Sequence, residues 1–155
     1  MRRTKPEPRE INPDVRYNSV PVTFFIHRIM KRGKKSVATR IMYDTLDIVK
    51  EKTGKDPIEV LDLALKNVGP QMEVRPRRVG GATYQVPMEV PASRKMTLAM
   101  RWILDSATGR TGNSYAEKLS SEILEAANNT GNAVRKREET HKMAEANRAF
   151  SHFRM

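Results

Sequence analysis

The residues best suited to chemistry in this chain are arginines placed just before a pair of glycines. Residues 72–79 and 82–90 have the composition of two strands, and Gly80-Gly81 between them tolerates the positive φ of a tight hairpin turn. A two-residue loop fixes which residues face each other across the ribbon: Val79 and Ala82, Arg77 and Tyr84, Arg75 and Val86. Guanidinium groups beside apolar and aromatic side chains favour phosphate contact next to packing on bases or sugars.

The sequence allows two interpretations of where this ribbon lies relative to the helices. Prolines 76 and 87 argue against a central strand but are tolerated in a lone ribbon, where both strands are edges. Such a ribbon would reach roughly 25 Å from the body of the protein. A two-stranded ribbon is only marginally stable in water, so it would stay mobile until RNA orders it. The alternative is a hairpin folded onto the helices, with Tyr84 and Val86 in the core. We predict the protruding form.

Motifs that would indicate catalysis are incomplete. Residues 33–36 (GKKS) lack the upstream glycine of a phosphate-binding loop, and residues 109–112 (GRTG) resemble a nucleotide clamp without a sheet to support it. The chain has no cysteine, and no metal-ligand spacing relates its three histidines, His27, His141 and His152. We therefore predict a non-enzymatic protein without metal or cofactor.

Helical periodicity places these residues on a mainly α scaffold. Six helices are predicted: Ser19 to Gly33, Lys35 to Thr53, Asp56 to Gly69, Ser93 to Gly109, Ser114 to Asn128, and Asn132 to about Ala149. Asp56 and Ser114 have the spacing of side chains that cap a helix. The predicted fold is a six-helix bundle with a protruding two-stranded β-hairpin between helices three and four. It forms one domain over residues 1–155, in which 1–18 is an extended basic arm, 72–90 the hairpin and 132–155 the C-terminal helix and tail.

The charge of the chain indicates a polyanionic partner. Its 155 residues carry 29 Lys and Arg against 18 acids, a net charge of +11. Residues 19–43 hold six bases and no acid, residues 44–73 hold seven acids and four lysines, and residues 74–101 hold six bases and one acid. This separation predicts a composite basic surface. We expect no membrane-spanning segment and no signal peptide, since the basic start leads into acids and prolines.

Residues 77–87, RRVGGATYQVP, resemble the hairpin of small-subunit ribosomal protein seven, bacterial type. Residues 33–36, 51–54 and 136–150 match the same family, and the resemblance covers nearly the whole chain. It implies a cytoplasmic ribosomal protein that binds the 3′ major domain of small-subunit rRNA and nucleates assembly of the head. It also implies that the hairpin and last helix contribute to the tRNA exit site and the mRNA path. Repression of translation of its own operon stays open.

The resemblance also assigns residues by position. The positions that match rRNA-facing ones are Arg2, Arg3, Arg9, Lys34, Lys35, Arg75, Arg77, Arg78, Arg94, Lys95, Arg110, Lys136 and Lys142. The hairpin tip matches the part nearest tRNA and mRNA: Val79, Gly80, Gly81, Ala82, Thr83 and Tyr84. The implied partners are small-subunit rRNA, exit-site tRNA and mRNA, and neighbouring small-subunit ribosomal proteins. Homo-oligomers are not expected.

Two rival functions follow from the residues alone. A DNA-binding regulator would read the major groove with a basic helix, for which helix four is the nearest candidate, although its Trp102-Ile103-Leu104 segment is predicted to be buried. An RNA-modifying enzyme would need a cofactor loop or paired acids, and neither is found in the sequence. Comparing affinities for rRNA and duplex DNA separates the leading function from the first rival.

Overall fold

The structure, a computed structural model, describes residues 10–154. The predicted rRNA-binding residues Arg2, Arg3 and Arg9 lie outside the described residues. The chain divides into two compact units, the first up to Met42 and the second from Tyr43 onward. The described elements are helices α1 Val20–Ile29, α2 Lys35–Thr53, α3 Pro57–Val68, α4 Ala92–Thr108, α5 Tyr115–Ala127 and α6 Asn132–Ala146, strands β1 Met72–Val79 and β2 Ala82–Glu89, and a final 3-10 helix, Arg148–Arg154.

The first unit is built around α1. Its buried face consists of Val22, Phe25 and Ile26, at the spacing that the sequence predicts. Ser19 occupies the N-cap position, but its side chain makes no capping hydrogen bond. One of the two amides that could donate to a capping side chain is missing here, because the second helical residue is Pro21, which has no N–H.

The second unit has a core of four packed helices. Helix α3 packs on α4 and α5, and α4 also packs on α5 and α6. The predicted caps are confirmed, because Asp56 accepts from the Ile58 N–H at 3.0 Å and Ser114 accepts from the Glu117 N–H at 3.2 Å. Asn67 of α3 donates to the Ala126 and Ala127 carbonyl groups, at 3.0 and 2.9 Å, at the end of α5. Local capping therefore sets the helix ends, and α3 fixes one of them from a distance.

The predicted helices differ from the observed ones in small ways. Helix α1 ends at Ile29, four residues before the Gly33 that the sequence predicts as its end. Trp102 of α4 is only half-buried, since it lies beside the fully buried Ile103 rather than on the same stripe. Helix α6 ends at Ala146, and the chain continues as the 3-10 helix, so the predicted extension of the α-helix to Ala149 is wrong. No helix within residues 10–154 is both long and apolar enough to cross a membrane.

The hairpin forms with the predicted register. Its strands pair Val79 with Ala82, and the pairing continues down to Met72 and Glu89. Its base is packed, since both strands contact α6, β2 contacts the 3-10 helix, and Val86 is only 1% exposed. Residues 75–83 are exposed. The predicted hairpin is therefore confirmed. Its distal half is exposed, whereas its base packs on the helices, as in the alternative of a hairpin folded onto them.

Candidate nucleic-acid interface

The tip of the hairpin is a glycine turn that the backbone requires. Gly80 and Gly81 have φ values of +59° and +88°, in the left-handed region that favours glycine. Apart from the adjacent residues, no heavy atom of residues 10–154 lies within 4 Å of a Cβ placed on either glycine, so the backbone conformation and not a lack of space requires glycine here. Arg77 and Arg78, just before the turn, are exposed. The tip therefore offers two cations on a tight ribbon with open surroundings.

The apolar side of the ribbon is largely occupied by the chain itself. The Tyr84 ring lies 5.4 Å from that of Phe150, centroid to centroid, at an interplanar angle of 46°. Val86, the next residue on the same side, is buried. The expectation that Tyr84 and Val86 present an apolar platform to bases or sugars beside the arginines is therefore wrong for Val86 and limited for Tyr84. The 3-10 helix contacts β2 here, and its Phe150 lies against Tyr84.

A buried carboxylate joins two of the predicted rRNA-binding arginines. Glu73 of β1 accepts from the Arg75 Nε at 2.6 Å and from the Arg94 Nε at 2.8 Å. The Glu73 side chain is 8% exposed, whereas the Arg75 and Arg94 side chains are 45% and 46% exposed. The fold thus brings together a strand residue and a residue in the first turn of α4. Sequence reasoning missed Glu73, although strand alternation places it on the same face as Arg75.

Arg110 has partners within the protein. Its Nε binds Glu122 at 2.6 Å, and its two terminal nitrogens bind Glu125, with Nη1 at 2.8 Å from Oε1. The hydrogen bond to Glu125 is the main cause that raises the pKa of Arg110, and the same bond lowers the pKa of Glu125. The fully buried Glu122 also accepts from the Ala133 N–H at 2.9 Å, at the start of α6. Arg110 therefore has an internal role that the sequence did not predict, and its contact with rRNA stays a prediction.

The remaining predicted cations differ in their surroundings. In the first unit, Lys34 and Lys35 are exposed. In the second unit, Lys142 is exposed and Lys136 binds Glu139 at 3.1 Å on the surface of α6. Lys95 is half-buried, and its stem passes so close to Gly69 that a Cβ there would lie 2.8 Å from the Lys95 Cγ.

A histidine lies at the base of the hairpin. The Gln71 backbone N–H donates to the Nε2 of His141 at 3.0 Å, so this nitrogen carries no proton. Burial is the main cause that lowers the pKa of His141, and the charges of Arg137 and Lys95 lower it further. The histidine borders a cavity of about 330 Å³ between the hairpin base, α6 and the 3-10 helix. Within residues 10–154, no three His, Asp or Glu side chains converge as metal ligands.

Comparison with known proteins identifies the family. Residues 1–148 match the family model described as ribosomal protein S7p/S5e. The chain belongs to this family. The chain is 58% identical to the small ribosomal subunit protein uS7 of Fervidobacterium nodosum over 154 residues, 99% of both chains. It is 57% identical to the uS7 protein of Caldanaerobacter subterraneus subsp. tengcongensis over 155 residues, also 99% of both chains.

Membership in the family confirms several predictions from the sequence. The chain is also 58% identical to the uS7 protein of Treponema denticola over 146 residues, 94% of both chains. The chain is a structural ribosomal protein of the small subunit and not an enzyme, as the hairpin motif and the lack of catalytic groups predicted. Its cytoplasmic, ribosomal location follows from the same membership.

Proposed function

We propose that this protein binds the 3′ major domain of small-subunit rRNA directly and nucleates assembly of the subunit head. The observation that carries the proposal is the exposed distal half of the hairpin, where Arg77 and Arg78 lie next to a tight glycine turn. Below them, Arg75 and Arg94 keep nearly half of their side chains exposed on either side of Glu73. Arginine suits this task because its planar fork bridges two phosphate oxygens.

Shape as well as charge supports RNA as the target. A two-stranded ribbon with exposed edges fits between the strands of a folded RNA junction, which side chains enter more easily than the deep, narrow major groove of an RNA helix. Helix α4, the candidate for reading duplex DNA, buries Leu98, Ala99, Met100, Ile103 and Ala107 in the helical core. Much of its surface is therefore unavailable for a DNA groove. These features favour a folded RNA.

The first experiment compares targets. Filter binding at matched salt measures the affinity of the full chain for a head-domain fragment of small-subunit rRNA and for random duplex DNA. Tighter binding to the rRNA fragment, with protection of a compact junction from chemical probing, is the expected result. Equal affinities for the two nucleic acids would overturn the proposal.

The second experiment identifies phosphate contacts of the hairpin. Replacing Arg75, Arg77 and Arg78 with alanine should reduce the steepness of the salt dependence by about 0.7–0.9 log units per lost phosphate contact. A matched control removes three exposed lysines from the acid-rich part of the second unit: Lys50, Lys52 and Lys66. An equal change of slope in both variants would mean that only total charge matters and that the hairpin arginines do not touch phosphate.

The proposal extends to the decoding path and to regulation. The tip, residues 79–84, contributes to the tRNA exit site and the mRNA path in the assembled subunit. Cross-linking from residue 82 to exit-site tRNA or mRNA tests this placement, and cross-links to rRNA alone would contradict it. Repression of the protein's own messenger would use the same basic surface, so the messenger should compete with the rRNA fragment for binding.

A further inference from the structure

We propose that Glu73 is a positioning residue that holds Arg75 and Arg94 so that the two guanidinium groups bind one phosphate of folded RNA. The inference rests on the proposed function, which supplies the RNA. It assigns a role in recognition to an acidic residue, although an acidic residue near a phosphate is unfavourable by charge alone.

The geometry supports positioning because both arginines meet the same carboxylate. The Arg75 Nε lies 2.6 Å from the Glu73 Oε1, and the Arg94 Nε lies 2.8 Å from that oxygen and 2.9 Å from Oε2. A guanidinium carries five N–H groups in a rigid fork, and each of these contacts uses the one on Nε. Fixing Nε therefore fixes the direction of the terminal nitrogens, on side chains that stay nearly half exposed.

The net charge of Glu73, Arg75 and Arg94 distinguishes a positioning role from simple electrostatic attraction to RNA. The three side chains together carry one positive charge, whereas the two arginines alone would carry two. If attraction to RNA were the only role of this cluster, Glu73 would weaken it. The carboxylate compensates by ordering two long side chains before RNA arrives, because side-chain ordering is a cost that binding otherwise has to meet.

The positions of the two arginines in the fold make this ordering specific. Arg75 lies in β1, and Arg94 lies in the first turn of α4, 21 residues from Glu73. Glu73 itself is only 6% exposed, so its carboxylate lies inside the folded protein rather than in open solvent. The pair of guanidinium groups is therefore fixed relative to two elements of the second unit.

The decisive variant is Glu73→Gln, because the two explanations predict opposite signs. Positioning predicts about tenfold weaker binding to the rRNA head-domain fragment, the effect of losing one charge-assisted contact. Simple attraction predicts tighter binding, since a negative charge is removed. Glu89→Gln is the matched control, with the same charge change at an exposed position on the same hairpin. Equal or tighter binding of Glu73→Gln, in parallel with Glu89→Gln, would overturn the positioning role.

Two further measurements exclude a purely structural role. In a background with Arg75 and Arg94 replaced by alanine, Glu73→Gln should cause no further loss, because its effect passes through these arginines. Further weakening in that background would overturn the proposal. In Glu73→Gln, the slope of log affinity for the rRNA fragment against log salt concentration should also fall by about 0.7–0.9, which corresponds to the loss of one phosphate contact. Binding of this variant to single-stranded poly-U should stay equal or become tighter.

A second variant keeps the test decisive if Glu73→Gln does not fold. Glu73→Asp keeps the charge but shortens the side chain by one methylene, so it should weaken rRNA binding less and leave poly-U binding unchanged. Wild-type affinity for rRNA in this variant would count against positioning. The wild-type protein reports separately on the proposed function: if it fails to discriminate the rRNA fragment from poly-U, that function is wrong. If it discriminates and Glu73→Gln binds the rRNA fragment at least as tightly as the wild type, only the positioning role is wrong.

Discussion

Replacing Arg110 with alanine should destabilise the second unit by about 3 kcal/mol, the lower end of the cost of breaking a buried ion pair. The Arg110 side chain is 19% exposed, and its partner Glu122 is fully buried. Without the guanidinium, the Glu122 carboxylate keeps the 2.9 Å bond from the Ala133 N–H but loses its countercharge. The contribution of Glu125 is smaller, below about 1 kcal/mol, because its side chain is 43% exposed.

Urea unfolding followed by fluorescence measures this loss. The chain has a single tryptophan, Trp102, which is half-buried on α4 of the second unit. The double variant R110A/E122Q should recover at least about 1 kcal/mol, since an unpaired amide costs less to bury than an unpaired carboxylate. As a control, Arg101→Ala at an exposed position of α4 should change the unfolding free energy by less than about 0.5 kcal/mol.

The pH dependence of the free energy of unfolding is a second test of the cluster of Arg110, Glu122 and Glu125. Arg110 lowers the pKa of Glu125 below its usual 4.5, so this pair stabilises the folded state above that value and stops doing so as the pH falls through the lowered pKa. The difference between wild type and R110A should therefore shrink in acid. A loss of less than about 1 kcal/mol in R110A, or no recovery in R110A/E122Q, would refute the reasoning.

Two other predictions concern the start of α6 and the base of the hairpin. Gly131→Ala should lower the free energy of unfolding in urea by about 2 kcal/mol, because the φ of Gly131 is +93° and the new Cβ would lie 3.0 Å from a Glu125 oxygen. Gly109→Ala is the control, because the φ of Gly109 is negative. Equal stabilities of the two variants would contradict the prediction. Burial keeps the pKa of His141 below its usual 6.5, so just below that pH the unfolded chain binds more protons than the folded chain. The free energy of unfolding should therefore rise with pH in this window. His141→Gln, which retains an acceptor for the Gln71 N–H, should flatten that rise, and parallel pH profiles would contradict the prediction.

Features governed by short spacing were predictable from the chain. The two-residue loop at Gly80-Gly81 fixes the strand register, because side chains alternate with period two and one slip would exchange the faces of the ribbon. Asp56 and Ser114 cap their helices through bonds to amides two and three residues away. The hairpin string was specific enough to indicate the family, which the comparisons confirm. Each of these depends on residues within a few positions of one another.

Which cations face outward was not predictable in the same way. Arg78 and Arg110 carry the same charge, yet Arg78 lies exposed near the hairpin tip and Arg110 is held by two glutamates 12 and 15 residues away. The presence of a base in the sequence does not reveal whether an acid distant along the chain will neutralise it. Only the packing of the helices decides that.

What the sequence by itself determined, then, is the set of helices, the hairpin register, the excess of positive charge and the family. The tertiary structure decided that Glu73 meets both Arg75 and Arg94, that Val86 is buried, and that Phe150 lies against Tyr84. The physical reason is the separation along the chain of the residues that interact. Turns, caps and alternation depend on bonds between near neighbours, whereas burial and ion pairing depend on segments that meet only when the chain has folded.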